Sequence, residues 1–503
     1  MTGILPALGK IGHIRTWKSP DLLTVAVLIM IGGFLRFHAI AAKSFWLDEG
    51  ISVQIACLDW HDFVLLLGNR EGNMSLYYLL LRGWLHFGQS ETFIRSLSVM
   101  PALATIPLIY WLGRRLFDRR VGLIAAALLT FNAYHIRYAQ EARSYSLYIF
   151  LCTLFSALFL QCLSSPSWRN RLGHIVIGAA AVYAHFFSAL VVLAQWAAIC
   201  LLGKDRVPPG MKRNWGWIFI LVLPAVLFAG TSQAGQLSWV HRPGWMDAYF
   251  FGRNMAGNGG WLLLAYAAAC IAAIARVAGR VYRRSQGATA LEGHWRYQFL
   301  LLWLFLPVLI AGIFSIFRPV LVARYFAASQ PALLLLAADG LGRFRKRCLL
   351  VPALLVFGVL SVQGTLSYYR EDFDLAREDF RGATRYILDH AQPGDRILFP
   401  SAILRMPYEY YRSIYPGPMP APTVLYPSMG DHIVYRDFTA EIGPDLLTAV
   451  SGQSTPVWVF LRHIPSQIAP DPAVQQLDRT FMKSYPCMER YEFPMLEIRR
   501  YRR

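Results

Sequence analysis

Two adjacent carboxylates, Asp48 and Glu49, are the residues best suited to chemistry in this chain. They follow the apolar segment Leu22–Ile40, whose 19 residues are enough to span a bilayer as a helix. Acids that face lipid are unfavourable, so the pair is expected in a cavity or a wet loop at a membrane face. There a carboxylate can deprotonate a hydroxyl or hold a divalent cation against a phosphate. The alternative is an acid that only ends a helix or lies in solvent.

A second polar group, Gln140-Glu141-Ala142-Arg143, lies between two apolar segments. Its spacing allows Glu141 and Arg143 to face one cleft, where the arginine would bind a phosphate and the acid a metal ion or sugar hydroxyls. The alternative is an ion pair within the loop, or an arginine that reaches to the membrane surface. If a divalent cation is bound, the candidate ligands are Asp48, Glu71 and Glu141.

Four further residues are candidates on weaker grounds. His185 lies between aromatic residues at an expected turn, where it is either packed or functional. The pair Arg324-Tyr325 precedes an apolar segment, so the arginine either binds a lipid phosphate or extends to the membrane surface. Arg36, near the end of the first apolar segment, leaves the same two alternatives.

The elements that must position these residues are membrane helices. Of the 503 residues, 55% are hydrophobic and 16% charged, and soluble proteins carry more charge. Segment Leu172–Gly203 is too long for one span, so we expect a helical hairpin that turns at His185. Eleven spans are predicted at Leu22–Ile40, Phe93–Leu112, Val121–Tyr138, Tyr145–Leu163, Leu172–Ala184, Phe186–Leu202, Trp215–Gln233, Trp261–Val277, Phe299–Phe317, Val320–Ala338 and Cys348–Leu366.

The net charge is +19, and the distribution of the basic residues indicates membrane topology and not nucleic-acid binding. Lysine and arginine form short clusters in alternate loops, and no basic stripe lies on a soluble module. The basic loops are therefore expected in the cytoplasm, with the N-terminus, in a cytoplasmic (inner) membrane. The C-terminus and all the candidate residues then lie on the outer, periplasmic or extracellular side. Nucleotide sugars are scarce there, so an enzyme at this face is expected to use a membrane lipid as its donor.

Two domains are predicted. Residues 1–367 form the transmembrane domain, in which the first outer loop, 41–91, includes interfacial helices such as Leu76–Phe87. Residues 368–503 are more charged and proline-rich, and they predict an outer soluble α/β domain with a helix at Leu375–Ala391. Strands are expected at residues 396–400 and 457–461. Whether Cys57 and Cys487 pair is left open.

The order of these motifs resembles the bacterial GT-C glycosyltransferases. Trp46-x-Asp-Glu, Leu76-Tyr-Tyr-Leu-Leu-Leu, Tyr110-x-x-Gly-Arg-Arg-Leu-Phe and Gln140-Glu-Ala-Arg are similar to segments of family 39-like enzymes, which are related to protein O-mannosyltransferases and lipid A aminoarabinose transferases. Arg324-Tyr325 and Glu378-Asp-Phe-Arg-Gly-Ala also resemble that family. One departure is Asn73-Met74-Ser75-Leu76, where many relatives carry Pro-Pro-Leu.

The resemblance implies an inverting glycosyltransferase, a hexosyl- or pentosyltransferase, with a GT-C fold. A polyprenyl-phosphate sugar would be the donor, and a glycan, lipid or protein hydroxyl the acceptor. Asp48 corresponds to the expected catalytic base, with Glu49 in support. Donor or phosphate binding is assigned to Gln140, Glu141, Arg143, His185, Arg324 and Tyr325. The alternatives are a lipid-linked saccharide flippase or transporter, and a polysaccharide ligase.

Overall fold

The computed structural model describes most of the chain and divides it into two compact units. The described residues are 19–203, 206–232, 242, 244–283, 294–344, 346–371, 377–417, 421–427, 432–438, 455–462 and 472–502. One unit, called the helical unit below, takes in residues 1–38, 70–77 and 95–373. The other, the mixed unit, consists of 39–69, 78–94 and 374–503, so it combines parts of the first outer loop with the C-terminal segment. The domain bounds drawn from the sequence stay a prediction.

The protein is mostly helical. In chain order the α-helices are α1 Ser19–Phe37, α2 Leu47–Cys57, α3 Trp60–Asn69, α4 Ser75–Trp84, α5 Glu91–Leu116, α6 Arg119–Thr130, α7 Ala133–Ala139, α8 Tyr145–Ser164, α9 Trp168–Ala184, α10 Ser188–Cys200, α11 Arg213–Ser232, α12 Trp245–Ala256, α13 Gly260–Arg283, α14 Trp295–Phe317, α15 Gln330–Gly342, α16 Arg347–Arg370, α17 Phe380–His390, α18 Arg405–Ser413 and α19 Pro472–Ser484. Short 3₁₀ helices include Gly72–Met74 and Ala323–Ser329.

The helical unit has the composition of a multi-pass membrane protein. Among the described residues, five helices are long and apolar enough to cross a bilayer: α1, α5, α8, α14 and α16. The pair α12 and α13, bent by 81°, would make a sixth span if it counts as one. Helices α10 and α11 are apolar but shorter. The predicted number of eleven spans therefore stays a prediction.

Two of the predicted spans depart from single α-helices. The third is divided between α6 and α7, because the side chain of Asn132 accepts a hydrogen bond from the backbone N–H of His135 at 3.2 Å and begins a new helix. The tenth begins as the 3₁₀ helix Ala323–Ser329 before it continues as α15. Residue 233, the predicted end of the seventh span, lies outside the described residues.

The helices cross closely where glycine removes the side chain. A Cβ atom at Gly340 of α15 would lie 1.9 Å from the carbonyl oxygen of Ala269 in α13. A Cβ atom at Gly122 of α6 would lie 2.5 Å from the carbonyl oxygen of Tyr110 in α5. These contacts are too short for any larger residue, so glycine sets the distance between the helices.

The mixed unit contains a five-stranded sheet, as expected of an α/β segment. Its strands are β1 Arg396–Leu398, β2 Thr423–Tyr426, β3 Val457–Arg462, β4 Cys487–Phe493 and β5 Leu496–Arg502. The order is β2-β1-β3-β5-β4, with β1 parallel to β2 and β3, and β5 antiparallel to β3 and β4. The strands predicted at 396–400 and 457–461 are confirmed as β1 and β3.

The predicted helix of the C-terminal segment is shorter than expected. It begins at Phe380 because the carboxylate of Asp379 accepts the backbone N–H of Gly382 at 2.9 Å and caps the first turn. Residues 375 and 376 lie outside the described part of the chain. Cys57 and Cys487 are both free thiols, which answers the question that the sequence left open.

Candidate functional site

The acidic pair lies in the first turn of α2, in the mixed unit. The N-terminal end of a helix carries a partial positive charge, which favours carboxylates at these positions. The two acids nevertheless have different surroundings. Glu49 is fully buried, accepts the backbone N–H of Trp46 at 3.4 Å and pairs with Arg377 at 3.6 Å. Asp48 is partly exposed. The structure therefore separates an accessible acid from an acid that is held inside the fold.

The segment before the pair is anchored by residues far away in the sequence. The guanidinium group of Arg381 donates to the carbonyl oxygens of Ala41 at 2.8 Å and Lys43 at 3.3 Å, and it pairs with Glu91. The hydroxyl of Tyr411 accepts the backbone N–H of Phe45 at 2.6 Å and donates to Glu91. The C-terminal segment thus holds the backbone that leads to Asp48.

Helix α2 is itself held against α18 at very short range. A Cβ atom at Gly50 would lie 2.6 Å from Cβ and 2.7 Å from Cα of Pro407. Glycine directly after the acids therefore allows the two helix backbones to meet. A side chain at this position would require α2 or α18 to shift, and a shift of α2 would move Asp48.

In the helical unit, the predicted loop with Gln140 and Glu141 is engaged in local contacts. The side-chain amide of Gln140 donates to the carbonyl oxygens of Arg36 at 3.0 Å and His38 at 2.7 Å, and its oxygen accepts from Tyr368 at 3.0 Å. Glu141 is buried and pairs with Arg137 at 3.1 Å. These bonds join the loop to the end of α1 and to α16, and the donor-binding role of Gln140 stays a prediction.

Arg36 also has a structural environment. It is fully buried and donates to the carbonyl oxygens of Gly32 at 3.1 Å, Thr130 at 3.2 Å and Leu129 at 3.2 Å. Two of these are carbonyl groups at the C-terminal end of α6, where a cation is favourable. Of the two alternatives for this arginine, neither phosphate binding nor an extension to the membrane surface describes these contacts.

The pair Arg324-Tyr325 lies on the 3₁₀ helix Ala323–Ser329, which two tyrosines hold in place. The hydroxyl of Tyr134 donates to the carbonyl oxygen of Ala323 at 3.2 Å, and that of Tyr148 donates to the carbonyl oxygen of Tyr325 at 2.9 Å. The guanidinium group of Arg324 lies 5.9 Å from the centre of the Tyr325 ring. Helices α7 and α8 therefore fix the backbone that carries the Arg324 side chain.

His185 lies at the turn between α9 and α10, so the predicted helical hairpin is confirmed. The imidazole is fully buried, and its ring centre lies 4.8 Å from that of Tyr148 and 5.3 Å from that of Tyr325. Burial, together with the nearby guanidinium groups of Arg143 and Arg324, lowers the pKa of His185 to about 3. The ring is therefore neutral at neutral pH.

The neutral imidazole has a defined tautomer. Nδ1 accepts the backbone N–H of Phe187 at 3.3 Å, so the proton is on Nε2. Within the described ranges, the buried Nε2 has no hydrogen-bond partner. A buried donor without a partner is unfavourable by about 1–3 kcal/mol, so the site favours a ligand that accepts a hydrogen bond.

In the unusual Asn73-Met74-Ser75 stretch, the first two residues belong to the 3₁₀ helix Gly72–Met74, and Ser75 begins α4. The side-chain oxygen of Asn73 accepts the backbone N–H of Phe186 at 3.0 Å, and the hydroxyl of Ser75 donates to the carbonyl oxygen of Tyr183 at 3.4 Å. The segment that departs from the resembled pattern thus supports the turn that carries His185. Glu71 immediately precedes it.

Four of the predicted donor-binding residues therefore meet in the helical unit: Arg143, His185, Arg324 and Tyr325. The sequence did not point to Arg137, Arg377 or Tyr411. Arg377 and Tyr411 contact the first outer loop only through the fold, so no local pattern distinguishes them. Arg137 lies four residues before Glu141, a spacing that could have indicated their ion pair. Residue type alone does not identify such contacts, because many arginines and tyrosines of the chain could pair with an acid.

That the protein binds a divalent cation stays a prediction. Within the described residues, the group of three side chains close enough to share an ion is Asp59, His61 and Asp62, which are largely exposed. The candidates Asp48, Glu71 and Glu141 do not belong to that group. One oxygen of Glu141 already contacts Arg137, which weakens it as a metal ligand.

Comparison with known proteins supports the resemblance seen in the motifs. The family model for dolichyl-phosphate-mannose-protein mannosyltransferase matches residues 76–232. No curated protein has a significantly similar sequence. The chain thus resembles a GT-C superfamily glycosyltransferase, as predicted.

Solved structures show the same fold. ArnT from Cupriavidus metallidurans in the apo state has a TM-score of 0.62 at 13% identity, over 95% of this chain and 97% of that one. The same protein bound to undecaprenyl phosphate has a TM-score of 0.61 at 13% identity, with the same shares covered. The apo oligosaccharyltransferase of Archaeoglobus fulgidus has a TM-score of 0.50 at 11% identity, over 79% of this chain and 64% of that one. The fold is therefore the ArnT-like GT-C fold with a small C-terminal sheet domain.

Proposed function

We propose that this protein is an inverting glycosyltransferase that moves a hexose or pentose from a polyprenyl-phosphate lipid to an acceptor hydroxyl. The observation that carries the proposal is the cluster of Arg143, Arg324 and neutral His185, whose free Nε2 donor lies between aromatic rings. Two cations and a hydrogen-bond donor beside apolar surface suit a phosphate that is attached to a lipid. The similar ArnT structure with bound undecaprenyl phosphate supports this donor class.

Asp48 is proposed as the general base. It deprotonates the acceptor hydroxyl, and the resulting oxygen nucleophile attacks C1 of the donor sugar and inverts that carbon. A base must be reachable by substrate, and Asp48 is the partly exposed member of the pair. Glu49 is a positioning residue, because its buried carboxylate binds Arg377 and the backbone of Trp46.

The cationic cluster is proposed to stabilise the leaving group. The bond between C1 and the phosphate oxygen breaks, and negative charge develops on the polyprenyl monophosphate. Arg143 and Arg324 meet that charge, while His185 donates one hydrogen bond through Nε2. Such donors, fixed before the reaction, are usually the largest electrostatic contribution to the rate. Tyr148 stacks on the imidazole, and the tilted ring of Tyr325 packs beside it, so the two rings maintain its orientation.

The proposed location follows from the lipid donor and from the basic loops. The reaction would take place at the outer face of the cytoplasmic membrane, where the acceptor is a glycan, another lipid or a protein. A flippase is the competing proposal, and its ionisable residues would be expected near the middle of the bilayer.

Mass spectrometry of cell-envelope glycolipids and glycoproteins tests the function. Cells that express the protein should gain one glycosylated component and release polyprenyl monophosphate, and cells that express Asp48→Asn should not. A flippase would move its lipid without release of polyprenyl monophosphate. An unchanged envelope in cells that express the wild type would contradict the proposal, and polyprenyl diphosphate as the product would indicate a ligase.

A further inference from the structure

A cavity of about 670 Å³ lies at the end of α10 and the start of α11 in the helical unit. Its walls are mixed in character. Ile199, Leu202 and Val207 are apolar, whereas Lys212 and Arg213 are cationic and exposed. The cavity thus has the two kinds of surface that a phospholipid requires, one for the acyl chains and one for an anionic headgroup.

Two guanidinium groups converge at its edge on Gly210. This residue has φ of +76°, in the left-handed region that favours glycine. A Cβ atom there would lie 2.5 Å from one terminal nitrogen of Arg171 and 2.8 Å from one of Arg213. Arg171 donates to the carbonyl oxygens of Pro209 and Gly210, which brings its cation to this turn. The glycine therefore allows two like charges to approach each other.

The acceptors that bind the guanidinium group of Arg171 are neutral: the carbonyl oxygens of Pro209 and Gly210 and the side-chain oxygen of Asn214. Among the described residues, no carboxylate pairs with Arg171, Lys212 or Arg213. Cations held together without an anion repel each other, and a bound anion relieves the repulsion.

The cavity is remote from the phosphate cluster described above. Arg171 and His185 lie at opposite ends of α9, and Cys200 and His185 lie at opposite ends of the hairpin's second helix. Over 14 residues a helix rises about 21 Å. A ligand in the cavity would therefore be separate from the donor lipid.

We propose that this cavity binds the phosphate-bearing headgroup of an anionic membrane phospholipid, such as phosphatidylglycerol. Lys212 and Arg213, which line the cavity, contact the phosphate, and the apolar wall contacts the acyl chains. Arg171 does not line the cavity and adds positive charge at its edge. A soluble phosphate could satisfy the same cations, but it would not use the apolar wall. This proposal is independent of the glycosyl transfer.

Native mass spectrometry of the purified full chain in mixed phosphatidylcholine and phosphatidylglycerol micelles tests the lipid. The wild type should retain phosphatidylglycerol in preference. Lys212→Gln and Arg213→Gln should each reduce the retained phosphatidylglycerol by about fivefold, since one cation near anionic lipid contributes about that factor. The control is Arg169→Gln, an exposed arginine of α9 that does not line the cavity. Equal losses in all three variants would overturn the proposal.

A labelling experiment on the wild type separates the two sources of phosphate and needs no variant. Cys200 borders the cavity and is exposed, and Cys348 is exposed elsewhere. Short-chain phosphatidylglycerol should slow maleimide modification of Cys200 and leave Cys348 unchanged, whereas inorganic phosphate at the same concentration should protect neither. Protection of Cys200 by inorganic phosphate would overturn the lipid assignment, and no protection by either compound would overturn the site.

Discussion

At the scale of single residues, the environment of each ionisable group separates chemistry from support. Asp48 and Glu49 are neighbours in sequence, but one is partly exposed and the other is buried in an ion pair with Arg377. The same distinction applies to Gln140 and His185. The Gln140 amide donates hydrogen bonds to backbone carbonyl oxygens, whereas Nε2 of His185 has no hydrogen-bond partner within the described ranges. Substitutions should therefore have different effects at positions that look equivalent in the sequence.

The hydrogen bond assigned to His185 predicts a contrast between two substitutions. His185→Leu removes the donor and should lower the rate of transfer by about 10- to 100-fold, because a hydrogen bond to a charged group contributes about 1.5–3 kcal/mol. His185→Gln keeps an N–H donor and should retain more activity. The measurement is the single-turnover rate of each purified variant. Equal rates for Leu and Gln would show that the donor has no role.

At the scale of elements, close helix contacts set the position of the acids. Gly50→Ala would place a Cβ atom against the backbone of Pro407, so it should destabilise the protein by about 1–3 kcal/mol and reduce activity. The matched control is Gly68→Ala in α3, where nothing lies within 4 Å of the added Cβ. That change should be neutral or stabilise by up to about 1 kcal/mol. Thermal unfolding in detergent compares the two, and equal stability would contradict the packing account.

The anchor from α17 gives a second prediction at this scale. Arg381→Gln removes the contacts to Glu91 and to the backbone before α2, and it should lower the transfer rate by about 10- to 100-fold through misplacement of Asp48. Arg385→Gln, on the exposed side of the same helix, is the control and should have no effect. If both variants keep the wild-type rate in the same assay, the anchor is not needed for catalysis.

These elements show which parts of the protein a sequence can predict. The hairpin at His185 and the strands β1 and β3 follow from apolar length, turns and local spacing. The different burial of Asp48 and Glu49 does not, because the two acids are adjacent and the sequence placed both in a cavity or a wet loop. The shorter α17 follows from its Asp379 cap, and the divided third span follows from Asn132. The contacts of Arg377, Arg381 and Tyr411 could not be predicted, because they join segments that only the folded chain brings together.

At the scale of the whole molecule, the orientation in the membrane is the main prediction. Cys348 and Arg370 lie near opposite ends of α16, one of the helices long enough to cross a bilayer, and Cys487 is exposed in the mixed unit. If the C-terminal segment is outside, a membrane-impermeant maleimide should modify Cys487 in intact spheroplasts and Cys348 only after the membrane is opened. Peptide mass spectrometry reads each cysteine separately. The reverse pattern would invert the predicted topology.

The central claim is that Asp48 is the base of a glycosyl transfer, and its substitution tests that claim most directly. The transfer rate of purified Asp48→Asn should be about 10²–10⁴-fold below that of the wild type, with unchanged thermal stability. Asp389→Asn, the same chemical change on the surface of α17, should leave the rate unaltered. If the Asp48→Asn protein transfers sugar at the wild-type rate, Asp48 is not the base and the account is contradicted.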